Sequence, residues 1–358
     1  MPLTTTFTAT GHFRRSAAAT ARAEAGNAAR PLMPRLAAAA GVAALAFASL
    51  MATSPIAARA DDLPLVAVTA IVEHPALDAA RDGVRDALKD AGYEDGKTIR
   101  FVYESAQGNP ATAVQIARKF VGENPAVIVP IATPSAQAVA SATQDIPVVF
   151  TAVSDPVGAG LIESLGKPGA NITGVSDFSP LGDQVALIKQ ITPNVKTVGI
   201  IYNPGEANSV ALVSAFKGVA EDAGLKVVES TANNSSSVQQ AARALVGKVD
   251  AIYVPTDNTV VSALESAVQV AQEAQIPLYA GDTDSVPRGA IAAVGFNYYD
   301  VGRQTGEMVV EVLGGQKPSK IPAIVAKGTN LVVNPGAAEK YGVTIPADVV
   351  AKATKVVQ

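Results

Sequence analysis

The stretch AVIVPIATPSAQAVASATQDIPVVFTAV, residues 126–153, sets out the fold of this chain in miniature. Two Val/Ile-rich runs, 126–132 and 147–153, are apolar on successive residues, as strands buried on both faces are. Between them, Thr133-Pro134 opens a helical segment: the proline fits a first turn, where its missing N–H costs nothing. The same pattern recurs along the chain in LVAVTAI (65–71), TIRFVY (98–103), NITGVSD (171–177), TVGIIYN (197–203), LKVVEST (225–231), AIYVPTD (251–257), IPLYAG (276–281) and AIAAVGF (290–296). Most of these runs are separated by segments with apolar positions three and four apart, such as Leu77, Ala80, Val84 and Leu88. Strands of this kind separated by amphipathic helices predict parallel sheets covered by helices. Ten strands are too many for one sheet at this length, so the expected class is α/β in two lobes of four to six strands each, with a ligand cleft between them.

Residues 1–60 read differently. Arg35, an apolar run from Leu36 to Ala52 and the small-x-small triplet Ala58-Arg59-Ala60 form a secretory signal with cleavage expected after Ala60, its true start being Met33. The run is too short and too rich in Ala and Gly for a membrane anchor. This leader holds six arginines and one glutamate, leaving 22 basic and 31 acidic residues in the exported part. An acidic surface disfavours nucleic acid and anionic bilayers as partners. The chain has no cysteine, which removes disulfides, thiolate nucleophiles, Cys-ligated metals and a lipid-anchoring cysteine. A soluble periplasmic monomer is the expectation.

The lobes are expected to comprise 61–178 with 297–317, and 179–296 with 318–350, leaving 351–358 as a tail. The chain leaves the first lobe near Ser176–Pro180, returns near Asn297, and crosses finally near 315–321, with a strand at roughly 324–333 and a helix around Ala337–Tyr341 in the second lobe.

No catalytic constellation is assembled. His74 is the one histidine beyond the leader, and no G-x-S-x-G elbow places a serine beside it. Ser214-Ala-Phe-Lys217 matches S-x-x-K but falls mid-helix. GLIESLGK (160–167) has the wrong glycine spacing for a phosphate loop, and Gly158-Ala-Gly160 does not follow a strand. Asp282-Thr-Asp284 lacks the further oxygen ligands of a calcium loop. Neither an enzyme nor a cofactor is indicated.

Reversible capture fits better. Polar residues gather where the runs end, the crevice in which open α/β sheets bind ligands. From the first lobe these are Glu73, His74, Gln107, Asn109, Thr133, Ser135 and Asp155; from the second, Asn203, Asp257, Asn258 and Asp284; at the return hinge, Asn297 and Tyr298. Thr133 and Ser135 at a helix start suit a carboxylate, and Glu73, Asp155 and Asp257 are the acids available for an ammonium. An α-amino acid is chemically sensible; a nucleoside or sugar remains an alternative, although a chain without tryptophan has less to stack on a sugar ring. A ligand-sensing module for a membrane receptor is the rival class.

The segments VTAIVEHPALDAARDGVRDALKDAGY (68–93), SAQGNPATAVQIARKFVGENP (105–125), IATPSAQAV (131–139), PVVFTAVSDPVGA (147–159), YNPGEANS (202–209), DNTV (257–260) and GFNYYDVGRQTGEMV (295–309) together resemble the ABC-transporter substrate-binding proteins of the tryptophan/tyrosine uptake type. The likeness spans nearly all of 61–350, in both lobes and in order. It implies the type I periplasmic binding protein fold, capture of Trp, Tyr or Phe by cleft closure, and delivery to an ABC permease driven by a cytoplasmic ATPase. It also implies that the strand-end residues named above lie at the cleft, with His74 lining or ordering its mouth. Many members carry a lipid-anchoring cysteine; its absence here favours free diffusion between two membranes.

Overall fold

A computed structural model describes residues 63–357. The expected leader and its cleavage site after Ala60 lie outside the described residues. The chain first lays down β1 (Leu65–Ala70), α1 (Pro75–Asp90), β2 (Arg100–Ser105), α2 (Pro110–Gly122), β3 (Val127–Ile131), α3 (Thr133–Ala142), β4 (Val148–Phe150) and β5 (Ile172–Ser176). It then crosses into α4 (Leu181–Ile191), β6 (Thr197–Tyr202), α5 (Ala207–Asp222), β7 (Lys226–Thr231), α6 (Val238–Leu245), β8 (Ala251–Val254), α7 (Asn258–Ser262), α8 (Leu264–Glu273), β9 (Leu278–Ala280) and β10 (Ala292–Phe296). It returns with α9 (Tyr298–Leu313) and β11 (Ile324–Val325), and ends with β12 (Thr329–Val333), α10 (Pro335–Lys340), α11 (Ala347–Lys352) and β13 (Lys355–Val356).

Two sheets result. The first has the order β11-β5-β4-β3-β1-β2, and all its pairs are parallel. The second runs β13-β12-β10-β9-β8-β6-β7 and is parallel except where β10 meets β12. Each sheet carries its own core. One is built on Val66, Val68, Phe120, Ile128 and Phe150; the other on Ile200, Phe216, Tyr253, Leu264 and Leu278. Each of the ten apolar runs contains a strand, because a strand covered by helices on both sides must be apolar on both faces.

The C-terminal third departs from the sequence-based boundaries. Ile324–Val325 pairs with β5, and Thr173 Oγ1 donates to the Ile321 carbonyl at 2.7 Å, so the chain is still in the first sheet there. The final crossing lies between β11 and β12, not near 315–321. What reads as one strand over 324–333 is two, parted at Gly328, whose φ of +86° turns the backbone. The supposed tail is also in the fold, since β13 pairs with β12. Two-residue strands leave too little periodicity to be read from sequence.

Helices α1 and α9 pack unusually close. A Cβ on Gly302 would lie 2.0 Å from the Ala80 carbonyl oxygen, and one on Gly83 2.2 Å from that of Tyr299. Asp86 accepts from the Tyr299 hydroxyl at 2.8 Å, and Asp90 pairs with Arg303 at 2.6 Å, along the rim of the same contact. This seats α9, and Tyr298 at its start, on the first lobe. Gly302→Ala is expected to lower stability by about 1–3 kcal/mol through overpacking. Gly218→Ala, in open space within α5, is expected to raise it by roughly 0.5–1 kcal/mol. Urea unfolding of both variants checks the pair.

Candidate functional site

The carboxyl ends of both sheets face one cleft. At its hinge side is a small cavity lined by His74, Leu77, Ala152, Ser154, Asp177 and Tyr298 from the first lobe and its hinge, and by Asn208, Thr256, Asn258, Val261 and Asp282 from the second. Its free volume is only about 10 Å³, room for about one water. The outer cleft is wider, about 840 Å³. Ile71, Val72, Val114, Pro134 and Ala138 give it an apolar first-lobe wall, and Asn203, Glu206, Asn258 and Thr259 stand opposite.

Strained backbone marks the first-lobe edge. Ala132 (φ +71°) and Ala152 (φ +55°), each just past a strand of the first sheet, are in the left-handed region that side chains disfavour. Ala132 donates its N–H to the Thr151 carbonyl at 3.0 Å, and its turn brings Thr133 directly into α3. Thr133 Oγ1 and Ser135 Oγ are buried there without a protein partner, as are Thr69 Oγ1 and His74 Nδ1. In the second lobe, Asn208 Oδ1, Thr256 Oγ1 and Asp284 Oδ2 are in the same position. Buried polar atoms are ordinarily satisfied, and three of these, on His74, Asn208 and Thr256, belong to residues that line the inner cavity, where a polar guest could complete them.

The two acids that line the cavity, Asp177 and Asp282, are not among those nominated from sequence; Asp284, which is, stands near Asp282 outside the lining. Asp177, just past β5 where the chain leaves the first lobe, accepts from Ser154 Oγ at 3.0 Å and from the Tyr298 hydroxyl at 2.5 Å. Burial pushes its carboxyl above the usual range, those two hydrogen bonds oppose the shift, and nearby Asp282 adds to it. Asp282, just past β9, accepts from the Ser285 N–H at 2.8 Å and its hydroxyl at 2.6 Å. Burial raises it too, against the Ser285 bonds and Arg288. Asp284 is pushed up to about 6, by burial first and Asp282 second.

The other three nominated acids, Glu73, Asp155 and Asp257, lie outside the cavity lining. Asp257 is fully buried and accepts from the Asn203 N–H, the Ser209 hydroxyl and the Val260 N–H at 2.6, 2.6 and 2.8 Å. It caps α7 and ties that helix to the β6–α5 turn; burial and then Glu206 raise its carboxyl. Asp155 closes a turn on the Gly158 N–H at 2.8 Å. Glu73 acts on Asp78 and Tyr103, outside the cavity lining. Asp257 and Asp155 stand at strand ends as expected, but local hydrogen bonds claim their carboxylates.

Of the remaining nominees, His74, Asn258 and Tyr298 reach the inner cavity, and Gln107, Asn109, Asn203 and Asn258 line the outer cleft. Asn109 also caps α2, and Asn203 spans to the Thr259 hydroxyl at 2.9 Å. Asn297 is an exposed cap of α9. His74 caps nothing with its side chain; it is buried, and its pKa falls to about 3, because of burial first and the Arg288 charge second, with the nearby Asn258 side chain opposing. Asp177, Asp282, Ser154, Asn208 and Thr256 were not nominated. The signal for the two acids was available: each follows a strand run directly.

A two-lobed α/β fold with a polar interlobe cleft defines a solute-binding protein. Residues 65–357 match the family model described as ABC transporter substrate binding protein, and the chain belongs to that family, whose members bind solutes and are not enzymes. Among the described residues, no cluster of three or more His, Asp or Glu suits a metal. A "Tyrosine-binding protein" of Clostridioides difficile (strain R20291) is 42% identical over 75% of this chain and 78% of its own length. A conserved domain protein of Vibrio cholerae O1 biovar El Tor is 54% identical, with a TM-score of 0.81 over 82% of this chain and 99% of that one. An ABC domain from Streptococcus pneumonia in complex with L-Trp is 38% identical, with a TM-score of 0.80 over 82% and 100%. The ligand-free, open structure of a Clostridium difficile substrate-binding protein with adhesive properties is 40% identical, yet its TM-score is 0.63 over 83% and 99%. At nearly equal identity, the present lobe arrangement is nearer the ligand-bound form than the open one, in keeping with the shut inner cavity.

Asp257→Ala is expected to destabilise the second lobe by about 1–3 kcal/mol, because it leaves buried donors unpaired. Thermal and urea unfolding read the loss. Asp155→Ala, at a solvated turn, is expected to stay within about 0.5 kcal/mol of wild type.

Proposed function

We propose that this protein captures an aromatic L-amino acid, Trp or Tyr foremost, in the interlobe cleft and presents it as a soluble periplasmic monomer to an ABC permease. One observation carries the reading: two buried acids from opposite lobes, Asp177 and Asp282, share one cavity, and the hydroxyls of Thr133 and Ser135 at the start of α3 are buried without a partner. The acids suit an ammonium. The hydroxyls, at the start of α3, suit a carboxylate. The apolar wall of Ile71, Val72, Val114 and Pro134 suits a ring; burying about 150 Å² of it contributes about 4 kcal/mol before ordering costs. The L-Trp complex and the tyrosine-binding relative support the same class of ligand.

Closure follows from charge. With the cleft empty, bringing Asp177 toward Asp282 sets two carboxylates in one buried space, which resists closing unless a proton is taken up. An ammonium between them removes that penalty, so the ligand has a higher affinity for the shut state, which is what shifts an open–closed equilibrium. Opening is also required for entry, since an aromatic amino acid does not fit 10 Å³.

Titration calorimetry with L-tryptophan and L-tyrosine tests the site. Asp177→Asn and Asp282→Asn are each expected to weaken binding by about ten- to hundredfold, the range of a lost charge-assisted hydrogen bond. Glu73→Gln and Asp155→Asn are expected to change it less than about twofold. Unchanged affinity in both cavity variants would remove the ammonium assignment.

Proton uptake is a separate readout. Carboxyls held above their ordinary pKa keep protons in the empty closed state and lose them to an arriving cation, so binding is expected to release protons. Affinity is expected to fall as pH drops through the raised carboxyl range. For the unliganded fold the sign is opposite: its stability declines as pH rises from the ordinary carboxylate value through the raised one. Calorimetry in buffers of different ionisation enthalpy measures the proton count.

A further inference from the structure

His74 occupies an unusual place. It precedes Pro75 at the head of α1, a position where Asn, Asp, Ser or Thr would cap the helix, yet its side chain makes no cap. The imidazole is instead buried in the inner cavity, with Nδ1 unpartnered and Asn208, Thr256, Asn258 and Asp282 of the opposite lobe lining the same space. Burial and the second-lobe cation Arg288 both act against a proton on the ring. The acids around the same space are already held by other donors. Asp177 is bound by Ser154 and Tyr298, and Asp282 by Ser285. Asp284 faces Asp282 and Lys355, while Glu73 and Asp78 lie on the Tyr103 side of the chain.

Closure therefore moves this imidazole from a first-lobe edge into a cavity shut off from water, where loss of solvation and the Arg288 charge favour its neutral form. We propose that His74 is a proton-controlled latch across the cleft: its neutral form lets the lobes shut on the ligand, and its protonated form holds them apart, so that capture weakens as the surroundings acidify. In the open state the ring is solvated and titrates near the ordinary histidine value of 6.5. Closing below that pH requires a proton to leave, and by linkage apparent affinity falls about tenfold between pH 7.5 and pH 5.5. This inference rests on the amino-acid reading for its ligand, and on the cross-lobe contact alone for its mechanism.

The experiment uses the full chain and has two arms. In the first, calorimetry with L-tryptophan at pH 7.5 and 5.5 compares wild type with His74→Gln, which keeps an amide-sized polar side chain that cannot titrate. Wild type is expected to lose about tenfold in affinity, and the variant markedly less, its remaining loss belonging to the cavity carboxylates. The second arm needs no ligand. Because the chain has no cysteine, spin labels at Ser141→Cys and Ser235→Cys, on opposite walls of the outer cleft, report the shut population directly. Acidification from pH 7.5 to 5.5 is expected to raise the shut population of His74→Gln, in which only the cavity carboxyls take up protons, and to lower that of wild type relative to it. An equal affinity loss in wild type and His74→Gln, or label distances with the same pH response in both, would overturn the latch. If L-tryptophan and L-tyrosine fail to bind at pH 7.5, the ligand reading falls, and the label distances still decide the latch.

Discussion

The cleft depends on how a single buried carboxylate is held. Asp177 stands where the chain first leaves the first lobe, and the hydroxyl that grips it, from Tyr298, stands where the chain returns. Ser154, beyond the end of β4, supplies the second donor. One charge thus fastens two of the three interlobe segments to the floor of the site. A ligand that meets Asp177 meets the pivot as well, so occupancy and lobe angle act on the same atoms. Full burial makes this contact strong, and the low local dielectric makes it costly to leave incomplete.

The surrounding fold keeps that pivot stiff. Glycines at 83 and 302 allow α1 and α9 to touch backbone to backbone, so Tyr298 projects from a helix that cannot slide against its neighbour. Across the cleft, Gln184 on α4 donates to the carbonyls of Gly281 and Val294 and accepts from the buried Tyr253 hydroxyl. This pins the ends of β9 and β10 just before Asp282 begins. The left-handed backbone at Ala132 and Ala152 sits at the opposite edge, where regular structure stops and the site starts. Strain of about 1–3 kcal/mol per such residue is tolerable because two well-packed cores lie behind it.

Polar residues at this cleft divide into those that hold the protein and those left for a guest. Glu206 shows the first kind. It accepts from Asn258, from Thr259 and from Asn208, joining the starts of α5 and α7 into one rigid corner. Asp257 does the same one layer deeper. The hydroxyls of Thr133 and Ser135 and the imidazole of His74 show the second kind, being buried and without a full set of protein partners. The distinction sets the chemistry of capture: Glu206 and Asp257 build the wall, while groups with acceptor or donor capacity to spare give the ligand something to complete.

The sequence by itself determined the two parallel sheets, their strand-end cleft and the family, because these rest on local periodicity, on proline at helix starts and on motifs spread over both lobes. Among its strand-end candidates are His74, Asn258 and Tyr298, which line the inner cavity. It did not determine which acids are free. Glu73, Asp155, Asp257, Asp177 and Asp282 all follow strands, and a one-dimensional reading cannot tell a carboxylate bonded to its own loop from one turned toward the opposite lobe. Nor did it find the final crossing, because two-residue strands such as β11 acquire meaning only from the partner beside them. Tertiary structure decided both questions for one reason: the fate of a hydrogen-bonding group depends on what lies within 3 Å of it, and in a chain that crosses three times between lobes, those neighbours are seldom near in sequence.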